Sequence, residues 1–278
     1  MCIVTDDDLL MSVQPIKSNE KPIAVFDSGV GGISVLKHIH TLLPSEQLLY
    51  VADSKYAPYG NKTATDIQAR CFEIADFLIT QKAKALVVAC NTATAAAIDV
   101  MRMKYTLPII GMEPAVKPAA AATKNGIIGV LATTGTLKSA QFAGLLESYG
   151  RNVKVVTQAC VGLVECVERG ELNTASTKAL IQQYTAPLLA EGADTIVLGC
   201  THYPFVKDVI REIVGEAISI IDTGSAVAKQ LKRQLEEKGL LSTSTEIAEV
   251  TFNTNSEAEN AQQVIEALWG RAAHVDHL

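Results

Sequence analysis

From Lys21 onward, short apolar runs alternate with longer stretches of helical periodicity. A strand followed by a helix and another strand pairs most readily in parallel, with the helix crossing over one sheet face. The alternation therefore predicts an α/β fold whose parallel strands are buried on both faces, and such strands read as continuous apolar runs. The expected strands cover residues 22–26, 47–51, 85–89, 108–110, 126–131, 153–156, 195–198, 218–221 and 248–252. Helical periodicity covers 33–43, 65–81, 92–104, 138–148, 174–191 and 227–238, with one more helix over 255–269.

A quieter repeat lies within this alternation. Ala85-Leu-Val-Val-Ala-Cys90-Asn-Thr-Ala-Thr94 is similar to Thr195-Ile-Val-Leu-Gly-Cys200-Thr-His-Tyr-Pro204, from 90 to 200 an offset of 110 residues. Ile23-Ala-Val-Phe-Asp27-Ser-Gly-Val-Gly-Gly32 pairs with Ile128-Gly-Val-Leu-Ala132-Thr-Thr-Gly-Thr136 at nearly the same spacing. Two related halves account for both pairs; chance likeness between apolar strands is the alternative. Ligands of open parallel sheets bind beyond the carboxyl ends of the strands. Two facing halves would thus put Cys90 and Cys200 on opposite walls of one cleft.

The chain has 278 residues and a formal net charge of −6, with no basic excess of the kind nucleic-acid and anionic-membrane binders carry. Lys229-Gln-Leu-Lys-Arg233 reads as a solvated helix face. No apolar run approaches the roughly 20 residues of a membrane span. Residues 1–21, with Asp6-Asp7-Asp8, lack the basic end and apolar core of a signal peptide and read as a partly disordered extension. The compartment expected is the cytoplasm, where the six cysteines stay thiols. None forms a Cys-x-x-Cys pair, so the pattern carries no zinc signature. A homodimer is the default expectation for assembly.

A strand-end cysteine alone is usually a small buried hydrophobe. Cys90 is followed by Asn91 and Thr92, and Cys200 by Thr201 and His202, so polar company distinguishes both. Both also lie where a helix can begin, a position that lowers a thiol's pKa. Cys71, Cys160 and Cys166 fall in helical patterns without such neighbours. Two opposed thiols suit inversion of a stereocentre, in which one face of a carbon loses a proton and the other gains one. A redox disulfide is the competing pairing; it needs the two α-carbons within about 7 Å.

Asp27-Ser28-Gly29-Val-Gly31-Gly32 follows the first strand and opens a helix, so its amides can converge on an anion. A dinucleotide fingerprint starting at Gly29 would need glycine where Ser34 stands. Asp27 suits either a helix N-cap or a carboxylate tuning the thiol of Cys90. His202 can serve Cys200 similarly. A binding protein that holds an anion without turning it over is the alternative of another class.

The segments Phe26-Asp-Ser-Gly-Val-Gly-Gly32, Pro58-Tyr-Gly60, Val87-Val-Ala-Cys-Asn-Thr-Ala93, Gly111-Met-Glu-Pro-Ala-Val-Lys-Pro118, Leu131-Ala-Thr-Thr-Gly-Thr136 and Val197-Leu-Gly-Cys-Thr-His202 together resemble the glutamate racemase family of the cofactor-independent Asp/Glu racemases. The resemblance implies two pseudosymmetric α/β domains, 22–117 plus 226–278 and 118–225, with the active site in the cleft between them. It implies direct 1,1-proton transfer between L- and D-glutamate with no cofactor or metal, in support of peptidoglycan synthesis. Carried over, Cys90 deprotonates D-glutamate and Cys200 L-glutamate, assisted by Asp27, His202 and Glu168. The implied substrate contacts are Asp27, Ser28, Asp53, Ser54, Pro58, Tyr59, Gly60, Asn91, Thr92, Thr133, Thr136, Cys200, Thr201 and His202. Where many family members have proline after the cysteine matching Cys160, this chain has Val161. The Met1–Lys21 extension resembles the lengthened N-termini of some proteobacterial members, in which UDP-MurNAc-L-Ala acts as an activator.

Overall fold

The computed structural model describes residues 18–278. Among these residues ten strands form two sheets: β1 Ile23–Asp27, β2 Leu48–Ala52, β3 Ala85–Val88, β4 Ile109–Ile110, β5 Ile127–Ala132, β6 Lys154–Ala159, β7 Thr195–Gly199, β8 Ser219–Ile221, β9 Val250–Thr254 and β10 Val275–His277. The first sheet has the order β10-β9-β2-β1-β3-β4 and the second β6-β5-β7-β8. Every strand pairing is parallel. The suspected repeat is visible in this topology. Within both sheets the second strand of the half lies outside the first, and the third and fourth follow on the other side, so β2-β1-β3-β4 corresponds to β6-β5-β7-β8.

All five residues of β1 are buried, and they point alternately to two layers. Ile23 and Val25 join a core that runs on through Leu131, Ile181 and Leu198 of the second half. Ala24 and Phe26 face the helices Ala64–Thr80 and Asn91–Lys104 on the opposite side. The helix Ala64–Thr80 buries Ile67, Cys71, Ile74, Ala75 and Leu78, an apolar stripe at helical spacing. Its N-cap Thr63 accepts the Asp66 N–H at 3.2 Å. A third core covers the outer face of the second sheet through Val116, Ala119, Ile128, Val130 and Phe142.

The structure adds elements that the periodicity leaves out. Helices Val116–Ala122, Leu163–Glu168 and Lys207–Val214 span only seven, six and eight residues, less than the window over which helical periodicity is read. β6 extends to Ala159, and β10 is a three-residue edge strand, Val-Asp-His, with no apolar run to announce it. The expected disordered extension lies outside the described residues for 1–17; Ser18–Glu20 form a short 3-10 turn. At the foot of the first sheet, Lys84 Nζ is 2.5 Å from Glu46 Oε2, both side chains being buried. The same ammonium donates to the Asn19 carbonyl, and Glu46 accepts the Ser242 N–H, tying both ends of this half together. Among the described residues, no helix is long and apolar enough to cross a membrane.

Candidate active site

In each sheet the chain leaves the first strand to one side and returns with the third strand on the other. The crevice at such a reversal, beyond the strand carboxyl ends, is where open α/β sheets bind ligands. β1 and β3 bring Asp27 and Cys90 to that point in one half; β5 and β7 bring Thr133 and Cys200 to it in the other.

Cys90 caps the helix Asn91–Lys104, its sulfur accepting the Ala93 N–H at 3.4 Å. Ser28 Oγ lies 3.7 Å from the same sulfur. The helix N-terminus was expected to lower this thiol's pKa, and the net effect is the reverse. Burial first, and then the Asp27 charge, push Cys90 well above the ordinary thiol value despite the Ala93 N–H. A Cys200 thiolate adds to that push, so the two sulfurs lie within electrostatic reach of each other. Asp27 is fully buried. Its Oδ1 accepts the Ser28 N–H at 2.7 Å, and Oδ2 accepts the Gly32 N–H at 2.7 Å and the Thr201 hydroxyl at 3.3 Å. Burial raises the Asp27 pKa, although His202 works against the shift. The N-cap of the helix Ile33–Leu42 is Gly32, not Asp27, so the carboxylate braces the loop ahead of that helix.

Cys200 is followed by a turn and the 3-10 segment Tyr203–Val206, not by an α-helix, so the helix-terminus argument does not extend to it. Its sulfur is 3.6 Å from His202 Nδ1, and His202 Nε2 is 2.5 Å from Glu168 Oε1. Burial alone would lower the imidazole's pKa; its bonds to Cys200 and Glu168 outweigh that and hold it well above the usual value. Glu168 closes the helix Leu163–Glu168, accepts the Val30 N–H at 2.8 Å and the Ser54 hydroxyl at 3.2 Å, and so joins the two halves. The glycines of the first loop make this possible. A Cβ on Gly29 would stand 2.0 Å from Glu168 Oε1, and one on Gly31 would stand 2.2 Å from His202 Nδ1. The loop amides of Ser28, Val30 and Gly32 do converge on anions, namely the protein's own Asp27 and Glu168.

Three hydroxyls bridge the halves at the start of the helix that Cys90 caps. Thr92 Oγ1 is 2.8 Å from Thr133 Oγ1 and 3.2 Å from Thr136 Oγ1, and the latter two are 3.1 Å apart. Gly60 packs on the same turn, since a Cβ there would meet the Thr133 side chain at 3.0 Å. Asn91 is buried, and neither its amide nitrogen nor its oxygen has a hydrogen-bond partner. An unpaired buried amide is costly.

Hydrogen bonds link Asp27, Ser28, Ser54, Glu168, Thr201 and His202 into one network with the two cysteines, and Gly60, Thr92, Thr133 and Thr136 form a second cluster, joined to the first through Asn91 and the helix that Cys90 caps. Asp53 is different: its carboxylate is fully buried and held by Arg70, Asn255 and Tyr59. Pro58 and Tyr59 lie in the segment this carboxylate fixes. Arg70 and Asn255 were not anticipated, because no local pattern connects positions 53, 70 and 255. Tyr203, next to His202, is also new, with a fully buried hydroxyl that faces the Cys160 thiol. Cys71 and Cys166 are helical as expected, whereas Cys160 sits in the turn after β6 and is close enough to Cys200 to be affected by its charge. Burial is the main reason its pKa is pushed up to about 12.

Comparison with known proteins is consistent across sequence and fold. Residues 24–231 match the Asp/Glu/Hydantoin racemase family. The glutamate racemase of Ectopseudomonas mendocina is 54% identical over 262 residues, covering 94% of this chain and 99% of the relative. The crystal structure of glutamate racemase isoform RacE1 from Bacillus anthracis superposes with a TM-score of 0.86 at 34% identity, covering 94% of this chain and 98% of that one. Escherichia coli glutamate racemase, solved with L-glutamate and the activator UDP-MurNAc-Ala, gives a TM-score of 0.82 at 29% identity, covering 93% and 98%.

Proposed function

The chain belongs to the Asp/Glu/hydantoin racemase family and is an enzyme of the isomerase type, and we propose that it interconverts L- and D-glutamate by proton transfer between Cys90 and Cys200. The observation that carries this reading is the equivalent placement of the two thiols at the ends of β3 and β7, each with its own acid partners. Removing the α-proton from one face and delivering another to the opposite face requires two groups, and each thiol serves as base in one direction and acid in the other. The Cys90 thiolate takes the α-proton of D-glutamate while the Cys200 thiol protonates the other face. That turnover ends with a Cys90 thiol, a Cys200 thiolate and L-glutamate. The reverse turnover exchanges the roles.

Each neighbour has a task in this scheme. Asp27 raises the basicity of Cys90 through its charge. The Glu168–His202 pair presents an imidazolium to Cys200, which stabilises the thiolate left by proton donation. Asn91, with both amide atoms unpaired, and the hydroxyls of Thr92, Thr133 and Thr136 supply donors for the substrate carboxylates. Fixed donors at the α-carboxylate stabilise the charge that develops as the carbanion forms. Both thiols are almost wholly closed off, at 5% and 7% exposure, so substrate entry requires the halves to part. We place the two domains at 22–117 plus 226–278 and at 118–225.

The biological role that follows is cytoplasmic supply of D-glutamate for peptidoglycan, with UDP-MurNAc-L-Ala as an activator. The test is circular dichroism of L- and D-glutamate incubated separately with reduced protein, chelator and no added cofactor. Decay of both signals to zero supports the reading, and two constant signals, with and without UDP-MurNAc-L-Ala, overturn it. Faster decay with the nucleotide supports activation; an unchanged rate argues against it.

A further inference from the structure

We infer that Arg70, together with Asn255, is a positioning residue for substrate, acting through the buried Asp53 on the segment Ser54–Gly60. The inference rests on the glutamate-racemising reading of the site. Asp53 itself is not free to bind anything. Its Oδ1 accepts from Arg70 Nη2 at 2.6 Å and from Asn255 Nδ2 at 2.5 Å. Its Oδ2 accepts from Arg70 Nε at 3.0 Å and from the Tyr59 hydroxyl. Two oxygens with four donors and no solvent exposure leave no acceptor for an ammonium group in the cleft.

The same two residues grip the segment at further points. The Arg70 guanidinium lies over the Tyr56 ring, 3.9 Å from its centroid, and Asn255 Oδ1 accepts the Lys55 N–H at 2.9 Å. Lys55, Tyr56 and Tyr59 are therefore all tied from behind. On the cleft side, Ser54 donates to Glu168, and Gly60 packs against Thr133. Gly60 is in turn hemmed by Gly135, where an added Cβ would meet its carbonyl oxygen at 3.0 Å. A shift of the segment thus moves one wall of the cleft relative to the thiols. The hydrogen bonds and ring stack of Arg70 go to Asp53, Glu73 and Tyr56, so its influence on the cleft passes through Asp53 and Tyr56. Its planar fork suits the paired contact and the ring stack together, a combination lysine cannot reproduce.

A misplaced wall weakens substrate binding more than it alters the thiols. The two effects separate in kinetics: loss of folded protein lowers kcat at constant KM, whereas displacement of the segment raises KM. The experiment measures glutamate racemisation in both directions by wild type, Arg70→Lys and Asn255→Ala. The expected result is a KM raised about tenfold in Arg70→Lys and about threefold in Asn255→Ala, with kcat changed less than KM. Arg70→Leu should be worse than Arg70→Lys. If Arg70→Lys fails to fold, Asn255→Ala decides the matter, since it removes one donor and the Lys55 tether but leaves the ion pair. Folded variants with wild-type KM overturn the inference, whether or not kcat falls. Wild type that leaves glutamate unchanged removes the functional reading itself, a different outcome.

Discussion

His202 Nε2 lies 2.5 Å from Glu168 Oε1, while the other nitrogen of the same ring lies 3.6 Å from the Cys200 sulfur. The carboxylate and the thiol are thus joined through one buried imidazole, which they hold well above its ordinary pKa against the cost of burial. Glu168→Gln removes the anion and lets that pKa fall. If the imidazolium is the working form, activity is present below its pKa and lost as pH rises through it. The variant's alkaline limit therefore moves to lower pH, and kcat falls by about 10- to 100-fold, one pKa unit being worth about a factor of ten. A pH profile of kcat for wild type and variant checks both the direction and the size. An unmoved alkaline limit contradicts the role given to Glu168.

Asp27 acts on the other thiol. Burial and then the Asp27 charge raise the Cys90 pKa, so the thiolate needed to deprotonate D-glutamate becomes more available as pH rises. Asp27→Asn removes the second of these causes and lowers that pKa. The rising limb of kcat for D-glutamate is expected to shift to lower pH, with a reduced plateau because a less basic thiolate accepts a proton less readily. A limb that stays in place, or moves to higher pH, rules out electrostatic tuning by Asp27.

The glycine loop offers a steric test. Gly31→Ala sets a methyl 2.2 Å from His202 Nδ1, so the ring must move and the contact with Cys200 is lost. We expect a stability loss of about 1–3 kcal/mol, in the range of overpacked sites, and a fall in kcat of at least about tenfold. Gly144→Ala is the control: nothing lies within 4 Å of its Cβ, and it sits inside the helix Ala140–Tyr149. That variant should gain about 0.5–1 kcal/mol and keep full activity. Urea unfolding and steady-state kinetics on the two proteins make the comparison. Equal behaviour would remove the steric argument.

The fold was legible where strands are buried on both faces, because β3, β5, Ile23–Phe26 of β1 and Ile196–Gly199 of β7 each read as an apolar run. The repeat around Cys90 and Cys200 was legible too, since strand-end position and polar followers survive in the residues themselves. The direction of the Cys90 shift was not. A helix N-terminus can be read from Asn91 and Thr92, but the burial and the nearby Asp27 that outweigh it belong to the assembled sheet. Glu168 was identifiable only through the resemblance, as its contacts with Val30, Ser54 and His202 span 138, 114 and 34 residues. Arg70 reads locally as one more polar residue of an amphipathic helix. Its partner Asp53 is 17 residues away and Asn255, which shares that carboxylate, is 202 residues from Asp53.

The central claim is that two thiols divide the reaction by face, and α-proton exchange in D2O tests it most directly. The enantiomers have equal free energy, so any variant must change kcat/KM equally in both directions, and rates of racemisation alone cannot separate the thiols. Exchange can, because it requires only one base. With Cys90→Ala, NMR should show loss of the α-proton signal from L-glutamate, deprotonated by Cys200, and none from D-glutamate. Cys200→Ala should show the reverse, and racemisation by either should fall on the order of 10²- to 10⁴-fold, the usual worth of a positioned acid–base group. Exchange of both enantiomers by a single-cysteine variant, or substantial racemisation by either, would contradict the two-thiol account.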